Sequence, residues 1–260
     1  NYECKIPNPE IVSWHGQKCL LGKFNIKSKF LSDEDYSRIK FNYVENNMNR
    51  FDVNFFHLGD GANLFGYFQS YKYFEKFERE IVDELSPKHN YMSKMKRAIE
   101  EYKGDYELVS IHVRRGDNQD GTNPEYANFY GVGDIMTSDS QYGKYLNKAK
   151  EVFANKKVKY LIFTGGSRKI NSSNLSDIEW CKKNIYGEDI MYSENKTDFE
   201  DFCLMSLCDH NIICHLSSFG YWAAMINKNN NKVVVAPSDY TLSDSNRVLN
   251  GFYPKEWVVV

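Results

Sequence analysis

Apolar residues in the second half of the chain form short runs separated by longer amphipathic stretches. The runs Leu108–Val113 and Tyr160–Phe163 are short and rich in β-formers, as expected for strands buried on both faces. Helical spacing between the runs predicts helices over Gln141–Ala154, Ser176–Asn184 and Asp198–Cys208. Strands that alternate with helices across short loops predict a parallel sheet covered by helices on both faces.

The alternation continues to the end of the chain. Further short strands are predicted at Ile190-Met191, Asn211–Cys214 and Val233–Ala236, and a helix at Phe219–Ile226. Ser176 precedes Glu179 by three residues, which is the spacing of a capping box and fixes the start of one helix.

The first hundred residues are less regular. Aromatic residues at helical spacing predict a helix from Tyr67 to Leu85, and Pro87 supports its end. A second helix is predicted over Met92–Tyr102, before Gly104. The change in regularity places a domain boundary near residue 105, which gives domains of residues 1–105 and 106–260.

The composition is that of a folded globular protein. The chain has 260 residues, 42% of them apolar, and a formal net charge of −2, which gives no bulk electrostatic case for nucleic acid as a partner. No apolar run approaches the roughly 20 residues that span a bilayer, so no transmembrane segment is predicted. The N-terminal residues also lack the pattern of a signal peptide.

Cysteine usage bears on the compartment. The chain has six cysteines, and Cys203 and Cys208 fall in an apolar helical pattern where cysteine is usually a small buried hydrophobe. This favours reduced thiols and a cytoplasmic location. Three Asn-x-Ser/Thr sequons, at Asn171, Asn174 and Asn195, keep a Golgi lumen as the alternative for a secretory-pathway protein.

The strongest candidate site is a polar motif at the end of one strand, His112-Val113-Arg114-Arg115-Gly116-Asp117. Ligands of open α/β sheets bind outside the carboxyl ends of the strands. A guanidinium group is always charged and binds phosphate in a fork, so Arg114 and Arg115 favour a diphosphate ligand. Because adjacent strand residues point to opposite sides, we expect one arginine to face the ligand and the other to brace Asp117 or a neighbouring loop.

Two further features have both a binding and a structural interpretation. Ser217, Ser218 and Phe219 lead from a strand into a helix, where free backbone N–H groups and hydroxyls suit an anion. Taken alone, this turn is more simply explained by Ser217 or Ser218 capping the helix. Asp201 lies in the first turn of a predicted helix, where a carboxylate is favourable without any ligand. It is also a natural acceptor for two adjacent donors of a ribose or guanine edge.

No metal site is predicted. The cluster of cysteine and histidine residues between 203 and 215 does not have the ligand spacing of a zinc site. The chain also lacks the glycine-rich signatures of ATP- and NAD-binding folds.

The order of these segments resembles the α-1,2-fucosyltransferases of glycosyltransferase family 11. The resemblance covers roughly residues 60 to 260, and its segments are Gly66–Phe74, His112–Asp117, Asp177–Cys181, Leu204–Ile213, Ser217–Trp222, Ala236-Pro237 and Tyr253–Trp257.

The resemblance implies an α/β fold of the GT-B-like kind, with two Rossmann-like domains and an inverting mechanism. It implies GDP-fucose as the donor, a galactoside-containing glycan as the acceptor, and no cofactor or required metal. Residues 1–105 then form the acceptor-side domain and residues 106–260 the GDP-fucose-binding domain. In the related fucosyltransferases the arginine motif and the serine turn hold the donor's phosphates, and an acidic residue matching Asp201 contacts the nucleoside.

The chain departs from the family in two places. The family opens with a Gly-Gly-Leu-Gly-Asn-Gln strand-turn, which is not found here, so the N-terminal domain is expected to be incomplete in this chain or reduced. The family's Phe-Ser-Asp-Asp after the middle strand is replaced by Phe163-Thr164-Gly165-Gly166.

The hypothesis for the reaction is direct displacement at the anomeric carbon of fucose. Arg114 or Arg115 and the serine turn would stabilise charge on the β-phosphate. Asp117 is the first candidate for the general base, with Asp120 and Glu125 as alternatives on the same loop. Asp117 has a second interpretation as a brace for an arginine, and His112 either hydrogen-bonds the nucleotide or only completes the strand.

Two alternative functions stay open. One is a fucosyltransferase that forms another linkage, and the other is a non-catalytic relic that binds a nucleotide or glycan.

Overall fold

The computed structural model describes residues 5–6, 20–46, 51–115, 140–165, 176–215, 217–238 and 251–260. Their contacts divide into two compact units. The first contains the described residues up to His89 and those within 248–255, and the second contains the described residues of 90–247 and 256–260.

The first unit is built of short elements. Its strands and α-helices are β1 (Lys5–Ile6), β2 (Lys29–Phe30), α1 (Asp33–Ser37), β3 (Phe41–Val44), β4 (Ala62–Phe65) and α2 (Glu78–Glu84). β1 pairs with β2 and β3 with β4, both in parallel. Single 3₁₀ turns lie at Leu21–Lys23, Val53–His57, Tyr71–Tyr73 and Glu75–Phe77.

The helix predicted from Tyr67 to Leu85 is wrong in its first half. Phe68 has a φ of 45°, in the left-handed region, and the chain reaches α-helical geometry only in α2. The cause is tertiary: the Ser70 hydroxyl and the Tyr71 amide N–H donate hydrogen bonds to the carbonyls of Gly251 and Phe252, at 3.0 Å each. These bonds, together with the burial of its aromatic rings, stabilise an irregular conformation of this segment over the helix that its spacing predicts.

The second unit begins at Asn90, within α3 (His89–Ile99). The later elements are β5 (Glu107–Val113), α4 (Gln141–Glu151), β6 (Val158–Thr164), α5 (Asp177–Asn184), β7 (Ile190–Tyr192), α6 (Asp198–Met205), β8 (His210–Ile212), α7 (Ser218–Met225), β9 (Val234–Ala236) and β10 (Val258–Val259). The predicted α/β class and the alternation of strand and helix are confirmed, with helix and strand ends within a few residues of the predicted positions. The capping box at Ser176 is also present.

The division between the units lies near residue 89 rather than near 105, because α3 packs within the second unit. The ring of Tyr91 meets that of Phe199 at 5.1 Å, and Lys94 forms an ion pair with Glu200 at 2.5 Å. Both partners lie on α6, so α3 is tied to the helical layer of the second unit.

The described strands of the second unit form one sheet in the order β10-β9-β8-β5-β6-β7, with every neighbouring pair parallel. This is the Rossmann order, in which the chain moves outward from β5 in one direction and then outward from β8 in the other. Val109, Ile111 and Val113 point to one face and are fully buried against α4 and α5. Ser110 points to the opposite face, where its Oγ accepts a hydrogen bond from Asn211, at 2.7 Å.

Candidate functional site

The carboxyl ends of β5 and β8 form the point at which the strand order reverses. The two strands are neighbours, and Ile111 of β5 lies opposite Ile212 of β8. The residues that follow them therefore emerge side by side at the same edge of the sheet. Crevices at such points are where open α/β sheets bind ligands. The two motifs singled out in the sequence, at residues 112–117 and 217–219, follow these two strands.

His112 is buried beneath the first turn of α7, with 6% of its surface exposed. Its ring lies 5.3 Å from that of Phe219, and a Cβ atom added to Gly220 would lie only 2.8 Å from its Nδ1. Glycine at position 220 thus permits the close approach of helix and imidazole. Burial, and then the charge of Arg114, lower the pKa of His112 to about 3, so the ring is neutral near pH 7. Nδ1 has no hydrogen-bond partner in the part of the chain that the structure describes.

Ser217 occupies the N-cap position of α7, but its hydroxyl makes no capping hydrogen bond. The side chain is fully buried, and its Oγ finds no partner among the described residues. Ser218 is exposed and Phe219 is partly buried. Buried polar groups are nearly always hydrogen-bonded, so an unsatisfied hydroxyl beside the amino end of a helix marks a place for an acceptor-rich ligand.

The two arginines have different surroundings at the end of the strand. Arg115 is 3% exposed, with its guanidinium carbon 3.8 Å from the ring centre of Trp180 and its Nη1 3.8 Å from Oδ1 of Asp177. Both partners belong to α5. Arg114 is partly exposed and is close enough to His112 for its charge to lower the pKa of that histidine. One arginine is thus held by an aromatic ring and a carboxylate, and the other lies close to His112, which packs beneath α7.

Asp201 is on α6 and joins the same layer of helices. Its Oδ1 accepts a hydrogen bond from the Ser193 hydroxyl at 2.6 Å, and the ring of the next residue, Phe202, lies 5.4 Å from Phe219 of α7. Burial raises the pKa of Asp201 to about 7, and the bond from Ser193 opposes that rise. The charge state of this carboxyl group is therefore balanced near neutral pH.

The remaining predicted site residues lie outside the described part of the chain. They are Asp117, Asp120 and Glu125, which fall within residues 116–139. Among the described residues, no three His, Cys, Asp or Glu side chains come together as metal ligands.

Three residues that shape this edge of the sheet fall in segments that carry the family resemblance, but the sequence analysis assigned them no role in the site: Asp177, Trp180 and Gly220. The capping box at Ser176 places Asp177 and Trp180 near the start of a helix, but nothing in the local pattern says which face meets Arg115. Gly220 resembles an ordinary helix glycine until the position of His112 is known.

The match to a family model decides the classification. The model of glycosyl transferase family 11 matches residues 6–260. The chain belongs to this family. The motifs at 112–117 and 217–222 are two of the seven segments that carry the resemblance to family 11 in the sequence.

Individual relatives of this family 11 protein are more distant. The O-antigen biosynthesis glycosyltransferase WbnK of Escherichia coli is 30% identical over 133 residues, which are 50% of this chain and 37% of that protein. The NodZ α-1,6-fucosyltransferase soaked with GDP-fucose is 17% identical, with a TM-score of 0.36 over 58% of this chain and 47% of its own. POFUT1 in complex with GDP is 10% identical, with a TM-score of 0.37 over 67% of this chain and 54% of its own. The chain matches only part of the length of each.

The structure also bears on the membrane question. Among the helices of the described residues, none has the length and apolar character needed to cross a membrane.

Proposed function

We propose that this family 11 protein transfers L-fucose from GDP-fucose to a hydroxyl group of a galactoside-containing glycan, forming an α-1,2 linkage. The observation that carries the proposal is the buried Oγ of Ser217 and Nδ1 of His112, both without hydrogen-bond partners among the described residues, beside the amino end of α7. A diphosphate would satisfy the serine hydroxyl and the free backbone N–H groups together.

Charge at this edge favours the same ligand. His112 is neutral, so the positive charge around it comes from Arg114 and from the helix dipole. In our proposal Arg114 and the N–H groups of Ser218 and Phe219 hold the β-phosphate, and Arg115 fixes the end of β5 through Trp180 and Asp177.

The proposed chemical step is a single displacement with inversion. The acceptor oxygen forms a bond to the anomeric carbon of fucose while the bond from that carbon to the β-phosphate oxygen breaks, and its electron pair leaves with GDP. Arg114 and the amino end of α7 stabilise the negative charge that develops on the phosphate. The hydroxyl proton passes to a general base, for which Asp117 is the proposed residue. The guanidinium and backbone N–H groups supply the charge that a metal would otherwise provide, so we propose a metal-independent enzyme.

Asp201 is proposed to hold the nucleoside. An ionised carboxylate accepts hydrogen bonds from the two adjacent N–H donors of the guanine edge, which uracil does not offer in that arrangement. The second unit would thus select the donor, and the first unit would carry the acceptor.

The names of the relatives are consistent with the class of reaction and differ in the product. WbnK is named for O-antigen biosynthesis, NodZ for an α-1,6 linkage, and the structures of NodZ and POFUT1 are named with GDP-fucose and GDP as ligands. Analysis of the product linkage therefore distinguishes the proposed α-1,2 linkage from the alternative linkage.

The test is a panel of GDP- and UDP-sugars, each incubated with and without β-galactosides and with a chelator, followed by release of nucleotide and linkage analysis of the product. We expect release from GDP-fucose that increases with the galactoside and is unaffected by the chelator. Binding of GDP without turnover would support the non-catalytic alternative instead. Turnover only with UDP-sugars would contradict the proposal.

A further inference from the structure

The segment Gly66–Phe74 carries part of the family resemblance and is not among the residues assigned to the proposed donor site. It begins at the carboxyl end of β4, beside the carboxyl end of its parallel partner β3. Glu45 follows β3 directly, and its amide N–H donates to the carbonyl of Phe65 at 2.9 Å. The two-stranded sheet therefore presents Glu45 and the turn after Gly66 at the same edge.

The turn wraps around the Glu45 carboxylate. Oε2 of Glu45 accepts hydrogen bonds from the amides of Tyr67, at 2.8 Å, and Phe68, at 3.0 Å. A Cβ atom on Gly66 would lie 2.4 Å from Cβ of Glu45, so only glycine permits this approach. Phe68 adopts its left-handed φ of 45° at this point, a conformation that costs free energy in a residue other than glycine and must be maintained by its surroundings.

Packing around Phe68 maintains that conformation. Its ring lies 5.4 Å from the rings of Phe55 and Tyr73 and stacks on Tyr43 at 6.3 Å. The Tyr43 hydroxyl donates to Asp52 at 2.6 Å, and the amide of Asp52 donates to the Tyr73 hydroxyl at 3.0 Å. The aromatic cluster therefore supports the turn whose two amides hold the Glu45 carboxylate.

Two side-chain oxygen atoms at this edge accept no hydrogen bond from the described residues. Oε1 of Glu45 and Oε1 of Gln69 are both buried, and neither has a hydrogen-bond partner among the described residues. The Tyr73 hydroxyl is an internal donor close to this carboxylate: burial first, and then the charge of Glu45 and a side-chain hydrogen bond to it, raise the pKa of Tyr73. Leaving a buried acceptor unsatisfied is unfavourable, so a ligand that brings hydrogen-bond donors is favoured here.

We infer that Glu45 and Gln69 form a subsite for a neutral sugar, in which hydroxyl groups of the glycan acceptor donate to the two Oε1 atoms. Acceptor oxygens repel phosphate and match the O–H groups of a sugar. The ring of Tyr67, which is 65% exposed and adjoins the turn, offers an apolar face to the sugar ring. The inference rests on the proposed function, because it assigns the acceptor side of that reaction to the first unit.

The primary test is a titration of the whole chain with lactose, followed by NMR saturation transfer, in the wild type and in Glu45→Gln and Gln69→Leu. Glutamine at 45 keeps one oxygen for the two amides and presents an N–H₂ donor where the sugar needs an acceptor. We expect lactose binding about tenfold weaker in Glu45→Gln and about fivefold weaker in Gln69→Leu, with GDP affinity changed less than twofold in both.

The matched control is Glu84→Gln. Glu84 is a partly buried carboxylate of the same unit and also accepts from a backbone amide, that of Lys27 at 3.1 Å. The Glu84→Gln variant should bind lactose and GDP as the wild type does. Tyr73→Phe separates a bound sugar from an internal partner: if the Tyr73 hydroxyl satisfied Glu45, this variant would reproduce the effect of Glu45→Gln.

Two results would overturn the subsite. One is lactose binding that is unchanged in both variants, and the other is an equal loss in Tyr73→Phe and Glu45→Gln that does not add in the double variant. The proposed donor function would survive either result if GDP binding and hydrolysis of GDP-fucose persist. Conversely, if the wild type does not bind GDP at all, the donor function is refuted. The lactose titration would still test the sugar subsite, because it does not depend on GDP.

Discussion

The two units place candidate sites at the same topological position with opposite polarity. In both units, the candidate site residues follow the carboxyl ends of adjacent parallel strands. At the edge of the large sheet, hydrogen-bond donors gather around Arg114 and Ser217. At the edge of the small sheet, Glu45 and Gln69 present acceptors. The topology thus supplies a crevice, and the side chains decide whether it suits a phosphate or a hydroxyl group.

The two regions also differ in how they are supported. The large sheet is covered on both faces, so His112 and Ser217 are fixed by burial. The small sheet is exposed, with Phe65 at 66% and Leu64 at 44%, and its carboxylate is fixed instead by two backbone N–H groups and a strained residue. Burial of a titratable group changes its charge state, whereas local hydrogen bonds hold its direction.

The largest expected effect comes from the cation close to His112. Arg114→Ala should weaken GDP binding about 100-fold, because a charged hydrogen-bond donor to the phosphate is lost from a partly buried site. Lactose binding should be unchanged, since that ligand is assigned to the other unit. Calorimetric titration with each ligand measures both. Equal losses for the two ligands would show that the regions do not divide the substrates as we propose.

The next effect should be on stability rather than on affinity. Trp180→Leu removes the ring over Arg115 and should lower the free energy of unfolding by about 2 kcal/mol, roughly a 30-fold change in the ratio of folded to unfolded protein. Trp180→Phe keeps an aromatic face and should recover about half of that loss. GDP affinity should change less than threefold in either variant. Denaturant titration gives the stability, and a large loss of GDP affinity in the folded Trp180→Leu protein would place Arg115 among the phosphate ligands.

Asp201 predicts a pH dependence of nucleotide binding. The pKa of its carboxyl group is about 7, and only the ionised form accepts both guanine donors. GDP affinity should therefore fall about tenfold between pH 8 and pH 6. Folding has the opposite dependence: the raised pKa means that this group stabilises the fold at low pH and loses that contribution as pH rises from 3.8 towards 7.

Asp201→Asn is the control for that titration. It should bind GDP weakly at every pH and abolish the difference between pH 8 and pH 6. A variant that keeps the wild-type pH profile would assign the titration to another group.

The smallest effect concerns the fit of α7 against His112. Gly220→Ala puts a methyl group 2.8 Å from Nδ1 and must shift the imidazole or the helix, so we expect GDP binding about fivefold weaker. Gly59→Ala is the matched substitution, because nothing lies within 4 Å of the added atom. If both variants bind GDP equally well, the close approach has no role in the donor site.

The sequence predicts the second unit better than the first, for a physical reason. Strands buried on both faces are continuous apolar runs, and Ser176 with Glu179 marks a helix start locally, so β5, β6 and α5 could be read from the chain. In the first unit the path of residues 66–77 depends on hydrogen bonds to Gly251 and Phe252, which are distant in sequence.

The candidate site shows the same limit. The motif at 112–117 and strand alternation predict that the two arginines diverge. They do not predict that Arg115 is the buried one, because its partners Trp180 and Asp177 come from a helix more than sixty residues later. The unused acceptors of Glu45 and Gln69 have no sequence signal, since they are defined by the partners that are missing around them.

The central claim is that the edge between β5 and β8 binds the diphosphate of the donor. The most direct measurement is a crystal structure of the whole chain with GDP. We expect the β-phosphate at about 3 Å from the Arg114 guanidinium and from the amide nitrogens at the start of α7, with Arg115 still stacked on Trp180. GDP bound elsewhere, or phosphates held by Arg115 with Arg114 turned to solvent, would contradict this claim.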